Sequence, residues 1–128
     1  LNETNEYYRE RKIAVIHKDL KRSVPLHKRL TQMFSNLQLI ENAAESVTAE
    51  VVVIPSYLVK GLEFDAVIIP NANEINYSSE ALDAKLLFVS VTRAHHEVQI
   101  FYHKQPSLLL KGLYEEADMG DLAEESIL

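Results

Sequence analysis

Four consecutive β-branched residues, Val51 to Ile54, closed by Pro55, constrain the fold of this chain more than any other stretch. β-Branched side chains pack well on a pleated surface and crowd the turns of a helix. A run with no polar residue reads as a strand covered on both faces, as in the parallel sheets of α/β proteins. The turn that follows, Lys60-Gly61-Leu62-Glu63-Phe64, sets a glycine between a cation and a carboxylate, and a second apolar strand, Ala66 to Ile69, comes at once. Open α/β sheets bind ligands at the carboxyl ends of their strands, so the turn is expected to present a site there.

Other elements follow from periodicity. Ile13 to Ile16 reads as a strand, with His17-Lys18-Asp19 at its carboxyl end as a further ligand edge. Ser23 is placed to cap a helix whose first turn holds Pro25, with Leu26, Leu30, Met33 and Leu37 as its inward stripe. His27, Lys28 and Arg29 then face outward, as a solvated face or a nucleic-acid patch. Leu37 to Ile40 predicts a short strand and Glu41 to Glu50 a polar connection. Pro70 to Tyr77 is rich in turn formers and predicts a loop. Ser78 or Ser79 caps a helix with Glu80 and Asp83 in its first turns, running to about Ala94. Its apolar positions, Ala81, Leu82, Leu86 to Val89 and Val91, wrap most of the way round, which predicts burial on more than one side. Val98 to Tyr102 is the last strand, and Pro106 stops it. This order predicts an α/β three-layer domain with a largely parallel sheet flanked by helices.

Composition sets the limits. With 128 residues, 47% of them hydrophobic, one compact domain is expected. The sequence shows no apolar run of about 18 residues and no signal peptide, so no membrane partner and a cytoplasmic setting are expected. No cysteine is present, which excludes disulfides and thiolate metal sites. Of the 19 acids, six follow Tyr114 (Glu115, Glu116, Asp118, Asp121, Glu124 and Glu125), and removing them leaves thirteen against 13 Lys and Arg. The net charge of −6 therefore resides in a tail. The expected organisation is a polar lead-in at 1–11 that Tyr7 and Tyr8 anchor, a domain at 12–114 and an acidic tail at 115–128. His95-His96-Glu97 with His103 invites a metal reading, yet neighbouring histidines on a strand point apart, and no metal site is expected. The three glycines are far apart, so there is no phosphate-cradling loop and the chain alone is not expected to bind a triphosphate tightly.

Two segments in order carry a resemblance. KGLEFDAVII, Lys60 to Ile69, and LLFVSVTRAHHEV, Leu86 to Val98, resemble motifs V and VI of the UvrD/Rep-like superfamily 1 helicases, and IAVIHKDLKRS, Ile13 to Ser23, resembles the motif IV strand. The likeness covers roughly residues 12 to 104 and is greatest to the HelD or helicase IV-like branch. It implies the second RecA-like core domain of an ATP-dependent 3′–5′ DNA helicase or translocase. The implied cofactor is ATP with Mg²⁺ in a cleft shared with the first core domain, which holds the metal and is missing here, so that the fragment alone is inactive. The resemblance gives Arg93 to the γ-phosphate, where a planar guanidinium suits spread charge. Where the family usually has arginine after the motif IV strand, this chain has His17-Lys18, which makes Lys18 the second γ-phosphate cation. Glu63 matches the ribose-binding glutamate, Gly61 the glycine that lets the backbone come close, and Lys60 and Thr92 complete the nucleotide set, Thr92 orienting the arginine or capping the turn.

The family also carries a threonine and a histidine that touch single-stranded DNA before this turn; here stand Pro55, Ser56 and Tyr57, so Ser56 and Tyr57 become the DNA candidates. Taken without the motifs, Arg93 also reads as a cation offsetting a helix dipole, Glu63 and Lys60 as solvated charges, and Tyr57 as an aromatic packed under the turn. The implied partners are single-stranded DNA and the first core domain. A HelD-like parent would instead use its ATPase to remodel RNA polymerase complexes, and an inert binding platform is the third reading.

Overall fold

The computed structural model describes residues 11–110 and, as backbone, 122–123. The lead-in, but for Arg11, and the acidic tail, but for that pair, lie outside the described residues, as do Tyr7 and Tyr8. Strand β1 spans Ile13–His17, helix α1 Leu20–Leu30, β2 Leu37–Leu39 and β3 Val51–Pro55. A 3-10 turn at Ser56–Leu58 then leads to β4, Phe64–Ile69, helix α2, Ala81–Val91, β5, Ala94–Phe101, and β6, Leu122–Ala123. The sheet order is β2-β3-β1-β4-β5-β6, and every pairing is parallel. All carboxyl ends therefore leave one edge of the sheet and all amino ends enter at the other. This is the α/β domain with a parallel sheet that the order of elements predicts.

The apolar runs are buried because alternate residues serve opposite faces. Ala14 and Ile16 of β1, with Val52 and Ile54 of β3, join Leu87 and Val91 of α2 in one core cluster. Val15 and Val53, between them, meet Leu26 and Leu30 of α1 in the other. Each fully covered Val, Ile or Leu contributes about 1.5–3 kcal/mol relative to exposure, so a polar substitution at Val52 or Ile54 would weaken one layer and at Val53 the other. Among the described residues no helix is long and apolar enough to cross a membrane.

Several local expectations are corrected. The N-cap of α1 is Asp19, whose side chain accepts from the Arg22 N–H at 3.0 Å, and not Ser23, which is buried and donates its hydroxyl to the Asp19 carbonyl. An aspartate caps as well as a serine and stands two residues past the strand, so the helix starts four residues earlier and Pro25 falls inside it. The helix ends at Leu30, so Met33 is 73% exposed and Leu37 belongs to β2. At α2 the capping position is Glu80 without a side-chain bond, while Ser78 reaches Asp83 from outside the helix. That helix stops at Val91, and Ala94 already pairs with Phe64. Leu82 and Phe88 are exposed, so the wrap of apolar residues around α2 is covered on one side alone.

Candidate functional site

The chain between β3 and β4 has to return from the carboxyl edge to the amino edge, because the strands are parallel. The 3-10 turn begins that return, and buried Val59 anchors it to the core. Gly61 then takes φ +84, a left-handed conformation that L side chains rarely adopt, although a Cβ there would meet nothing within 4 Å. Glycine is required here by backbone conformation and not by crowding. Glu63 follows immediately before β4, so the turn lies at the amino edge of the sheet and not at the carboxyl edge, where the sequence suggested a site.

Register brings Arg93 to the same place. Phe64 pairs with Ala94, and its N–H donates to the Arg93 carbonyl at 2.9 Å, so Glu63 and Arg93 enter adjacent strands side by side. The Arg93 side chain folds over the end of its own helix: Nε donates to the Val89 carbonyl at 3.2 Å and Nη2 to Thr92 Oγ1 at 3.3 Å. Thr92 is the C-cap, and its hydroxyl donates to the same Val89 carbonyl at 3.0 Å. The guanidinium thus meets the negative end of the α2 dipole, is held in one plane, and keeps Nη1 without a partner among the described residues. Lys60 is exposed on the same turn.

A residue weighed in the sequence only as a metal ligand joins this edge. His95 Nε2 lies 2.5 Å from Glu63 Oε1, and the neighbouring His96 Nε2 lies 4.0 Å from Asp65 Oδ1. The two histidines address different carboxylates, and among the described residues no three metal-ligating side chains converge. Position alone hides His95: its link to Glu63 depends on the pairing of β4 with β5.

The carboxyl edge has a different character. Lys18 Nζ is 2.8 Å from Asp83 Oδ1, with side chains 21% and 10% exposed, and Asp83 Oδ2 accepts from the Ser78 N–H and hydroxyl. Burial alone would raise the Asp83 carboxyl; hydrogen bonds from Lys18 and Ser78 outweigh it and hold the group below its usual range. Ile13 pairs with Ala66, so Lys18 stands level with the residue after Pro70, about 25 Å along the strands from Glu63 at roughly 3.3 Å per residue. The structure does not bring Lys18 to Arg93, and the two cannot hold one phosphate in this domain.

Ser56 is likewise used by the fold: it is 1% exposed and donates its hydroxyl to the Lys18 carbonyl at 2.7 Å. Tyr57 beside it is 52% exposed and so not packed beneath the turn. An open depression of about 380 Å³ adjoins this edge, lined by His17, Lys21, Arg22, Pro25, Arg29 and Asn76. Burial first, and then Arg22, push the His17 imidazole down to about 4, so it is neutral there, and its Nδ1 accepts from the Lys18 N–H. Arg22 is paired with Asp19, so the charge of the depression comes chiefly from Lys21 and Arg29.

Comparison with known proteins points to the helicase C-terminal domains. A family model described as the UvrD-like helicase C-terminal domain matches residues 50–101. Among solved structures, the chain is similar to the C-terminal domain of a possible DNA helicase from Lactobacillus plantarum WCFS1, at 37% identity and a TM-score of 0.67. That match covers 84% of this chain, which spans 65% of the other's length. No curated protein matches the sequence significantly. Both findings stop at the level of the C-terminal domain and do not reach the HelD branch. The KGLEF turn and the Thr92-Arg93 helix end both fall within residues 50–101, the span over which the chain is similar to the UvrD-like helicase C-terminal domain.

Proposed function

We propose that this domain is the second motor half of an ATP-dependent 3′–5′ DNA helicase or translocase. Its amino edge completes an ATP site whose Mg²⁺ and phosphate cradle belong to a first core domain. Arg93 addresses the γ-phosphate and Glu63 the ribose. The observation that supports this most is the Phe64–Ala94 register, which sets a carboxylate and a guanidinium on one edge of the sheet, as two ends of one nucleotide require. ATP binding would draw the two domains together through Arg93 and hydrolysis would release them, the bias between states coming from differential contact with the triphosphate.

Single-stranded DNA is assigned to the carboxyl edge, where the Tyr57 ring is open and Lys21 and Arg29 supply counter-charge for phosphates. Lys18 and Ser56 are left out of the site, since one is neutralised by Asp83 and the other is buried.

Two measurements on the full protein test this reading. Glu63→Ala is expected to raise KM for ATP about tenfold with kcat within about twofold, the signature of a contact made equally in ground and transition states. An unchanged KM would remove Glu63 from the nucleotide site. Tyr57→Ala is expected to weaken oligothymidine binding about 5- to 150-fold, corresponding to about 1–3 kcal/mol for one stacked base. Unaltered affinity would show that the exposed ring serves no strand.

A further inference from the structure

Glu63 is a long, flexible side chain on an exposed turn, and a carboxylate that binds a ribose hydroxyl must first be brought to one orientation. The contact between Glu63 Oε1 and His95 Nε2, at 2.5 Å, does this. Both side chains are more than half exposed, so the pair adds little to the stability of the fold. It crosses from the residue before β4 to the second residue of β5, bracketing the Phe64–Ala94 pair, and thus ties the carboxylate to the strand that begins just after Arg93. One oxygen lies against the ring nitrogen, and Oε2 has no partner among the described residues. The other charged groups along these strand ends are engaged elsewhere: His96 lies by Asp65, Arg11 pairs with Glu97 at 3.6 Å, and Arg93 is folded onto Thr92 and Val89.

We propose that His95 is a positioning residue for nucleotide recognition: it holds Glu63 in the orientation from which Oε2 accepts a hydrogen bond from a ribose hydroxyl, and so sets the preference for ribonucleotide over deoxyribonucleotide. The inference rests on the assignment of Glu63 to the ribose. Because it concerns pre-organisation, its effect falls on KM and on sugar discrimination and leaves kcat alone.

The test uses the full protein with ATP, 2′-deoxy-ATP and 3′-deoxy-ATP as substrates of DNA-stimulated hydrolysis. His95→Ala is expected to raise KM for ATP about three- to tenfold, to leave kcat within twofold, and to shrink the preference for ATP over at least one deoxy analogue by a similar factor. His95→Gln, which can present an amide N–H to Glu63, is expected to restore both to within about twofold. Glu63→Ala is expected to abolish the preference whatever stands at 95. If Glu63→Ala leaves the preference intact, the ribose assignment itself is wrong. If Glu63→Ala removes it while His95→Ala keeps KM and preference at the wild-type values, or while His95→Gln behaves no better than alanine, the positioning role is overturned and the ribose assignment stands. Thermal unfolding of His95→Ala within a degree or two of wild type is expected from an exposed pair; a large drop would make it a structural residue and sink the proposal.

Discussion

Replacement of Arg93 by alanine is expected to lower kcat for DNA-stimulated ATP hydrolysis by the full protein by about 10³-fold or more, while KM for ATP changes little. The size follows from what a guanidinium does for phosphoryl transfer, where charge spreads over oxygens that a planar, permanently charged fork can meet; such residues contribute about 10³–10⁵ in rate. The geometry fits the task. Nε and Nη2 are tied to Val89 and Thr92, so the plane is fixed before any nucleotide arrives and Nη1 is left without a partner among the described residues. Arg93→Lys is expected to recover little, since an ammonium cannot hold the helix end and reach a phosphate together. The competing account makes Arg93 a cation at the end of α2, worth about 0.3–1 kcal/mol of stability. Its backbone bond with Phe64 survives any substitution, so that account predicts a folded and almost fully active variant. Hydrolysis within about twofold of wild type would decide for it.

The parts of the fold that were legible in the sequence are those that depend on local chemistry. Val51 to Pro55 announced a two-faced strand because β-branched residues have few other places to go, and β3 takes those residues. The loop at 70–77 was legible from its turn formers, though nothing local says that Tyr77 ends it fully buried or that Ser107 donates to its carbonyl across thirty residues. Non-local geometry stayed hidden. Whether Lys18 shares an edge with Arg93 depends on where the 56–63 segment crosses the sheet, and eight residues of that segment do not reveal their direction. The same blindness hid His95, two residues past the arginine, whose meaning appears only when Ala94 is set against Phe64. Asp19 lost to Ser23 as the expected cap because proline at the first helical turn is a strong signal, and here it misleads: Pro25 sits mid-helix, where its missing N–H leaves the Lys21 carbonyl without its usual donor.

Removal of the Asp83 carboxylate is the substitution expected to cost most stability among the polar residues. Asp83→Ala leaves Lys18 with a mostly covered ammonium and no counter-ion, and strips Ser78 of the acceptor for both its N–H and its hydroxyl. Breaking a covered pair of this kind costs about 3–5 kcal/mol, whereas replacing both partners by apolar residues of similar size is often neutral. Urea unfolding should therefore show Asp83→Ala far below wild type and Lys18→Met/Asp83→Leu close to it. The carboxyl is held below its usual range in the folded state, so its contribution is complete above the ordinary aspartate pKa and is lost as pH falls through the lower folded value. The Asp83→Ala deficit should accordingly shrink in strong acid to the part left by the lost Ser78 acceptor; a deficit that stays constant as pH falls would mean that the charge is not its source. The double variant also settles the station of Lys18. Measured well below its unfolding midpoint, it should hydrolyse ATP at close to the wild-type rate, because Lys18 stands on the edge opposite Arg93. A loss as deep as that of Arg93→Ala would mean that Lys18 does reach the triphosphate, and that the two edges of this sheet serve one nucleotide after all.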